Sequence, residues 1–119
     1  MAKFKMAKPI SPDGVIELKK FLLPDEVFTA FNKMIAKNWD NGHSKFKQDE
    51  VIDEIIRLKP SGLPQPSDTG GNNKAREYIY DNHWLDVEVI YREEGWDVTY
   101  DKPGYNETYA ATFEFRKKR

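Results

Sequence analysis

Apolar residues recur along the first half of the chain at helical spacing. Over 24–38 they form one stripe, made of Val27, Phe28, Phe31, Met34 and Ile35. A second stripe over 49–58 consists of Val51, Ile52, Ile55, Ile56 and Leu58. Residues three or four apart share one helix face, so both segments are predicted to be helices. The short stretch 44–47 between them is long enough only for a strand.

From Trp96 onward the period of the pattern changes to two. Residues 96–101 alternate between apolar and polar, and residues 109–116 repeat the alternation. The segment 102–108 between them contains Pro103-Gly104, which is typical of a turn. The pattern therefore predicts a β-hairpin with a loop over 102–108. Its apolar face carries several large rings, which the helices are expected to cover.

Two further segments complete the predicted fold. Residues 74–94 have helical spacing with a break near Asn82, whose side chain would cap a second helical part, although 86–92 also alternates like a strand. Near the N-terminus, Val15, Ile16 and Leu18 suggest a strand over 14–20. The expected fold class is α+β, with three or four helices packed on a C-terminal antiparallel β-hairpin.

The length of 119 residues suits a single domain. Proline and glycine are concentrated in 59–73, which predicts a flexible loop within that domain. The other parts follow from pattern and charge: a basic N-terminal segment over 1–22, a helical part over 24–58, a helix plus hairpin over 74–116, and a basic tail over 117–119.

The predicted order of helix, short strand, helix, helix and hairpin resembles a winged-helix domain. In that resemblance the last helix is the reading helix and the hairpin is the wing. The amino-acid sequence of 82–116 resembles small uncharacterised proteins of tailed bacteriophages. The motifs that carry this resemblance are Gly95-Trp96, Pro103-Gly104-Tyr105-Asn106-Glu107 and Phe113-Glu114-Phe115. This second resemblance implies an origin in a phage and the cytoplasm of an infected bacterium, and it implies no catalytic activity.

Charge is distributed unevenly along the chain. The net charge is −1, but residues 1–20 carry +3 and the last four residues carry +4, which leaves −8 for residues 21–115. The chain is therefore an acidic body with two basic ends. Basic ends bind phosphates or acidic partners, or they act only as solubilising tails.

The composition argues against catalysis and against a membrane span. The chain has no cysteine and two histidines, His43 and His83, and neither histidine has a second at ligand spacing. No apolar run reaches the roughly 18–20 residues that cross a bilayer. We therefore expect a non-enzymatic cytoplasmic protein with no cofactor and no metal.

Protein–protein interaction is the function that the sequence favours. Large aromatic side chains dominate binding interfaces, and Trp84, Tyr105 and Tyr80 lie near predicted element ends or beside acids. The expected partner is a host or phage protein, or a second copy of the chain. Core packing is the alternative interpretation of Trp84.

Salt-dependent binding of DNA or RNA is the alternative function. The residues that would contact phosphates are the basic ones in the last helix, the wing and the tail, namely Lys74, Arg76, Lys102, Arg116, Lys117, Lys118 and Arg119. The balance of −3 over 74–94 opposes this interpretation, because an acidic helix is repelled by a phosphate backbone.

Overall fold

The structure is a computed structural model, and it describes residues 9–64 and 72–118. These residues form five α-helices and four β-strands, so the predicted α+β class is confirmed. In chain order the elements are α1 (Pro12–Leu22), α2 (Asp25–Lys37), β1 (Trp39–Asp40), β2 (His43–Lys47), α3 (Gln48–Leu58), α4 (Asn72–Asp81), α5 (Glu88–Glu93), β3 (Trp96–Asp101) and β4 (Thr112–Lys117).

The strands form one antiparallel sheet in the order β1-β2-β4-β3. The predicted hairpin is confirmed as β3 and β4, with Trp96 opposite Lys117 and Asp101 opposite Thr112. The predicted strand over 109–116 begins too early, because residues 109–111 do not pair with β3. Instead the Ala111 carbonyl accepts a hydrogen bond from the backbone N–H of Gln48, which draws this part of the chain toward α3.

Helices α2 and α3 cover the aromatic face of the sheet, as the sequence predicts. Phe31 of α2 is fully buried and meets the ring of Phe113 edge-on, with 5.1 Å between the ring centroids. Phe46 of β2 stacks on Phe115 of β4 at 5.7 Å. Burial of these rings removes a large apolar area from water, which is the main force that holds helices and sheet together.

The predicted strand over 14–20 is wrong, because this segment lies within α1. The Ser11 hydroxyl accepts a hydrogen bond from the Gly14 backbone N–H at 2.9 Å and so caps the helix. Pro12 follows at a position where a missing N–H costs nothing. The helix buries none of its residues completely, and the Lys20 ammonium lies 3.5 Å from the Glu93 carboxylate of α5.

The break predicted near Asn82 is confirmed, but the predicted capping role of Asn82 is wrong. Its side-chain amide donates to the Tyr78 carbonyl at 2.8 Å, so it closes the end of α4. The strand alternative for 86–92 is also wrong. Val87, Ile90 and Tyr91 are buried at helical spacing, which is what a helical turn against the core requires.

The predicted loop over 59–73 lies partly outside the described residues, which stop at 64 and resume at 72. Lys59 ends α3 in the left-handed conformation, with a φ of 54°. Leu63 is buried in the core. Helix α4 begins at Asn72, so the last two residues of the predicted loop are helical. Within the described ranges, no helix has both the length and the apolar character needed to cross a membrane.

Candidate functional site

Trp84 lies in the core and not on a binding surface. Only 6% of the residue is exposed, and its indole meets the Tyr78 ring nearly edge-on at 5.3 Å. The structure thus supports core packing, the alternative given for Trp84 in the sequence analysis. The ring stabilises the turn between α4 and α5.

Tyr105 is fully exposed at the tip of the hairpin loop. A local turn presents it: the Gly104 backbone N–H donates to a Glu107 carboxylate oxygen at 2.8 Å, and the Glu107 N–H donates to the Gly104 carbonyl. A ring in this position is accessible to a partner.

Tyr80 is tied to a second tyrosine through a buried glutamine. Gln48, the first residue of α3, donates from Nε2 to the Tyr80 hydroxyl at 2.8 Å. The Tyr100 hydroxyl of β3 donates to Oε1 of the same side chain at 2.7 Å. The bridge joins α3, α4 and β3, while 43% of Tyr80 remains exposed. Both rings are therefore held in place beside solvent.

Acidic side chains surround this pair of tyrosines. Burial raises the pKa of Tyr100 above its ordinary value, and the neighbouring Tyr80, Glu88 and Asp86 raise it further. Arg76 also interacts with Tyr80, and its guanidinium lies 2.6 Å from a carboxylate oxygen of Asp49, whose charge it offsets. We call this surface the acidic tyrosine face and define it by five residues: Asp49, Tyr80, Asp86, Glu88 and Tyr100.

The hairpin loop adds a third tyrosine close to an acid. The Tyr109 hydroxyl donates to an Asp101 carboxylate oxygen at 2.9 Å and lies 2.8 Å from the Lys102 carbonyl oxygen. The hydrogen bond to Asp101, together with burial and nearby negative charge, raises the pKa of Tyr109 to about 12. This hydroxyl consequently stays protonated at neutral pH.

The structure does not bring the predicted phosphate-contacting residues together. Lys74 and Arg76 lie on α4, where Arg76 is engaged with Asp49. Lys102 follows the C-terminal end of β3, and the basic end of β4 lies at the opposite end of the sheet. Arg119 lies outside the described residues. Only Arg116, Lys117 and Lys118 remain as one group.

That group forms the wall of an open cleft of about 730 Å³ at one end of the sheet. The cleft is lined by Asn41, Gly42, His43, Asp97, Arg116, Lys117 and Lys118. Antiparallel pairing places His43 opposite Arg116, and the Lys117 backbone N–H donates to the Gly42 carbonyl. Sequence reasoning did not include His43 here, because its neighbours come from a distant strand.

Trp39 and Trp96, also absent from the predicted sites, pack together beside this cleft. Their rings meet edge-on, with 5.7 Å between the centroids and an interplanar angle of 87°. Trp96 in turn contacts the buried Phe115. Lys117 lines the groove at the tryptophan pair as well as the basic cleft. Asn41 and Gly42 form the turn between β1 and β2, and nothing local in the sequence indicates what this hairpin faces.

The sequence predicts no metal site at either histidine. His83 lies 3.5 Å from Asp86 at the surface, and His43 lines the basic cleft. Within 9–64 and 72–118, no three His, Cys, Asp or Glu side chains form a group that could hold a metal ion.

Comparison with known proteins adds no identification. No protein-family model, no curated protein and no solved structure matches the chain. The resemblances to phage proteins and to winged-helix domains thus stay predictions, and the proposals below depend on the geometry of the surface.

Proposed function

We propose that the chain is a non-enzymatic protein-binding module whose acidic tyrosine face binds a basic segment of a partner protein. The observation that carries this proposal is the bridge from Tyr80 through Gln48 to Tyr100. It fixes two amphipathic rings within a cluster of carboxylates. Rigid tyrosines cost little side-chain entropy on binding, which makes them effective contact residues.

The chemistry of this face selects for cations. Lysine and arginine pair with carboxylates such as Asp86 and Glu88, and they also lie over tyrosine rings, where the negative face of the ring attracts them. Arginine does both with one planar group. A segment rich in arginine is therefore the expected ligand, and charge attraction will speed its association.

The hairpin loop extends the proposed contact. Tyr105 projects fully into solvent from the loop that also holds Tyr109 and Asp101. A partner that covers the acidic tyrosine face and reaches Tyr105 would bury aromatic rings from two elements. The lack of cysteine suits a reducing compartment, so we place this binding in the cytoplasm, with a phage or bacterial protein as partner.

Reading of duplex DNA by the last helix has less support. Helix α5 is six residues long and carries Glu88 and Glu93 against Arg92. The Arg92 guanidinium donates to the Val98 carbonyl at 3.0 Å, so it is engaged within the fold. Helix α5 therefore adds no support to the winged-helix interpretation of the element order.

The proposal is tested by titrating the protein with a fluorescein-labelled arginine-rich peptide and, separately, with a glutamate-rich peptide of the same length. We expect the arginine-rich peptide alone to bind, with an affinity that falls as salt rises. The variant Tyr80→Ala should bind more weakly by roughly five- to tenfold, as a truncated contact residue does. The double variant Asp86→Asn/Glu88→Gln should lose roughly three- to tenfold.

A matched control variant has the same net charge as Asp86→Asn/Glu88→Gln. The variant Asp40→Asn/Asp97→Asn removes two exposed acids at the opposite end of the sheet, and we expect its affinity to equal that of the unmodified protein. If both double variants lose affinity equally, the peptide is attracted by overall charge, and the proposed face is wrong. Absence of binding at low salt would also contradict the proposal.

A further inference from the structure

We propose that the basic cleft and the adjoining tryptophan pair form a binding site for single-stranded nucleic acid. The site is distinct from the acidic tyrosine face, since it lies at the opposite end of β3. Its two components are an exposed aromatic ring on which a base can stack and cations that can neutralise the flanking phosphates.

Trp39 is the stacking platform. The residue is 47% exposed, so one part of its indole is open to a ligand. Its edge-on contact with Trp96, which itself contacts buried Phe115, holds the ring in a defined orientation. A ring that is already ordered loses little entropy when a base stacks on it.

Three cations of the β4 tail line the basic cleft, and one of them, Lys117, also borders this ring. Lys117 lines both the groove at Trp39 and the basic cleft. The Lys118 ammonium donates one hydrogen bond to the Arg92 carbonyl at 2.8 Å, and an ammonium has three donors. Arg116 is oriented by its hydrogen bond to Glu114 at 3.0 Å. Both side chains also line the cleft, where backbone phosphates would lie.

Two acids nearby do not reverse the charge of the site. Glu94 lines the groove at Trp39, and its carboxylate lies 4.0 Å from the Lys20 ammonium, which is closer to Glu17 and Glu93. Asp97 lines the cleft opposite Arg116. Three cations line the cleft against this one carboxylate, and although Arg116 also pairs with Glu114, the lining keeps a positive balance that attracts a polyanion.

A single strand fits this site better than a duplex. Bases of a single strand are free to leave their neighbours and stack on an indole, whereas those of a duplex are paired and stacked already. The cluster of cations is also small, and a duplex site needs phosphate contacts along a longer surface. The expected binding is tolerant of sequence, because every base has a face that can stack.

The test is fluorescence anisotropy with a labelled oligothymidylate of about 15 nucleotides, a typical length for such sites. We expect binding at low salt that weakens by about 0.7 log units per decade of salt for each phosphate contact. The variant Trp39→Ala should lose roughly five- to 150-fold in affinity, and Lys117→Glu should weaken binding and lower the salt slope. Trp39→Phe keeps a ring and should retain most of the affinity.

Three comparisons decide the outcome. Lys74→Glu makes the same charge change on α4, and its affinity should equal that of the unmodified chain. If Lys74→Glu and Lys117→Glu lose equal affinity for the oligothymidylate, the proposed site is wrong. It is also wrong if Trp39→Ala and Lys117→Glu both bind as tightly as the unmodified chain. Equal binding of a same-length duplex or of polyglutamate would show charge attraction without stacking and would also overturn it. Circular dichroism of Trp39→Phe and Trp39→Ala checks that both remain folded.

Discussion

At the scale of single residues, Glu54 shows how this fold accommodates a buried charge. The residue is 8% exposed on α3, among the helix positions that cover the sheet. The Arg57 guanidinium of the next turn binds its carboxylate, and the Lys33 ammonium of α2 lies 3.2 Å away. These hydrogen bonds, with that of Arg57 the stronger, hold the pKa of Glu54 below its ordinary value against the opposing effect of burial. The ion pair therefore links α2 to α3.

The pH dependence of stability follows from this lowered pKa. A carboxyl whose pKa is lower in the folded state stabilises the fold at pH values above its unfolded pKa, and this contribution is lost as pH falls through the folded pKa. We expect Glu54→Gln to lower the free energy of unfolding by about 1–2 kcal/mol at neutral pH. The deficit relative to the unmodified chain should begin to shrink as pH falls below the ordinary pKa of a glutamate and should disappear once pH has passed through the lower folded pKa.

Urea unfolding at neutral and acidic pH measures this difference. Glu77→Gln is a suitable control, because Glu77 lies exposed on α4. The same deficit for Glu54→Gln at both pH values would contradict the assigned role of the ion pair.

At the scale of secondary-structure elements, α1 differs from the other helices. It buries no residue completely, whereas α2 and α3 each bury several at helical spacing. Its connection to the body includes the Lys20 ammonium, which lies 3.3 Å from Glu17 of the same helix and within reach of Glu93 and Glu94. Exposed ion pairs contribute little to stability. The helix is consequently held by weak interactions.

We therefore expect α1 to open independently of the body. Its backbone amides should exchange with deuterium well before those of α3, because local opening costs less free energy than global unfolding. Lys20→Ala should speed exchange in α1 further and leave the global free energy of unfolding nearly unchanged. Lys19→Ala, on the same helix, should leave exchange unchanged. Equal exchange rates in α1 and α3 would show that α1 belongs to the cooperative core.

At the scale of the whole molecule, β3 separates two surfaces of opposite character. Tyr100 and Asp101 lie at one end, beside the acidic tyrosine face, and Trp96 lies at the other end, beside the basic cleft. The chain charge of −1 is thus the sum of an acidic and a basic region and not a uniform property. The two proposals together predict that a basic protein and a nucleic acid bind to the molecule at the same time.

The two surfaces are expected to act independently. Tyr80→Ala should weaken binding of the arginine-rich peptide and leave oligothymidylate binding within about twofold, and Trp39→Ala should do the reverse, since distant sites are usually additive. Titrating each variant with both probes measures this. A loss of both activities in either variant, with the fold intact by circular dichroism, would mean that one shared surface binds both ligands.

Local pattern alone determined much of this protein. The stripes of α2 and α3 and the alternation of β3 are readable because the period of burial follows from backbone geometry within a few residues. The same reasoning failed at α1, because the apolar positions Val15, Ile16 and Leu18 are compatible with both a helix and a strand over so short a span. The segment is a helix, and the Ser11 hydroxyl caps it. Local pattern also singled out Tyr80 beside the adjacent Asp81, whereas the acids of the acidic tyrosine face are more distant in sequence.

Tertiary structure alone decided which aromatic rings are accessible. Sequence could not distinguish Trp84 from Trp39, because exposure depends on whether another element covers the ring, and here Trp84 lies buried against Tyr78 while Trp39 is half-exposed. The basic cleft forms because strand pairing places His43 opposite Arg116. The two tyrosines come together because Gln48 bridges α4 and β3. Contacts between residues far apart in the chain form only when the core assembles, so the composition of a surface is fixed by packing and not by local pattern.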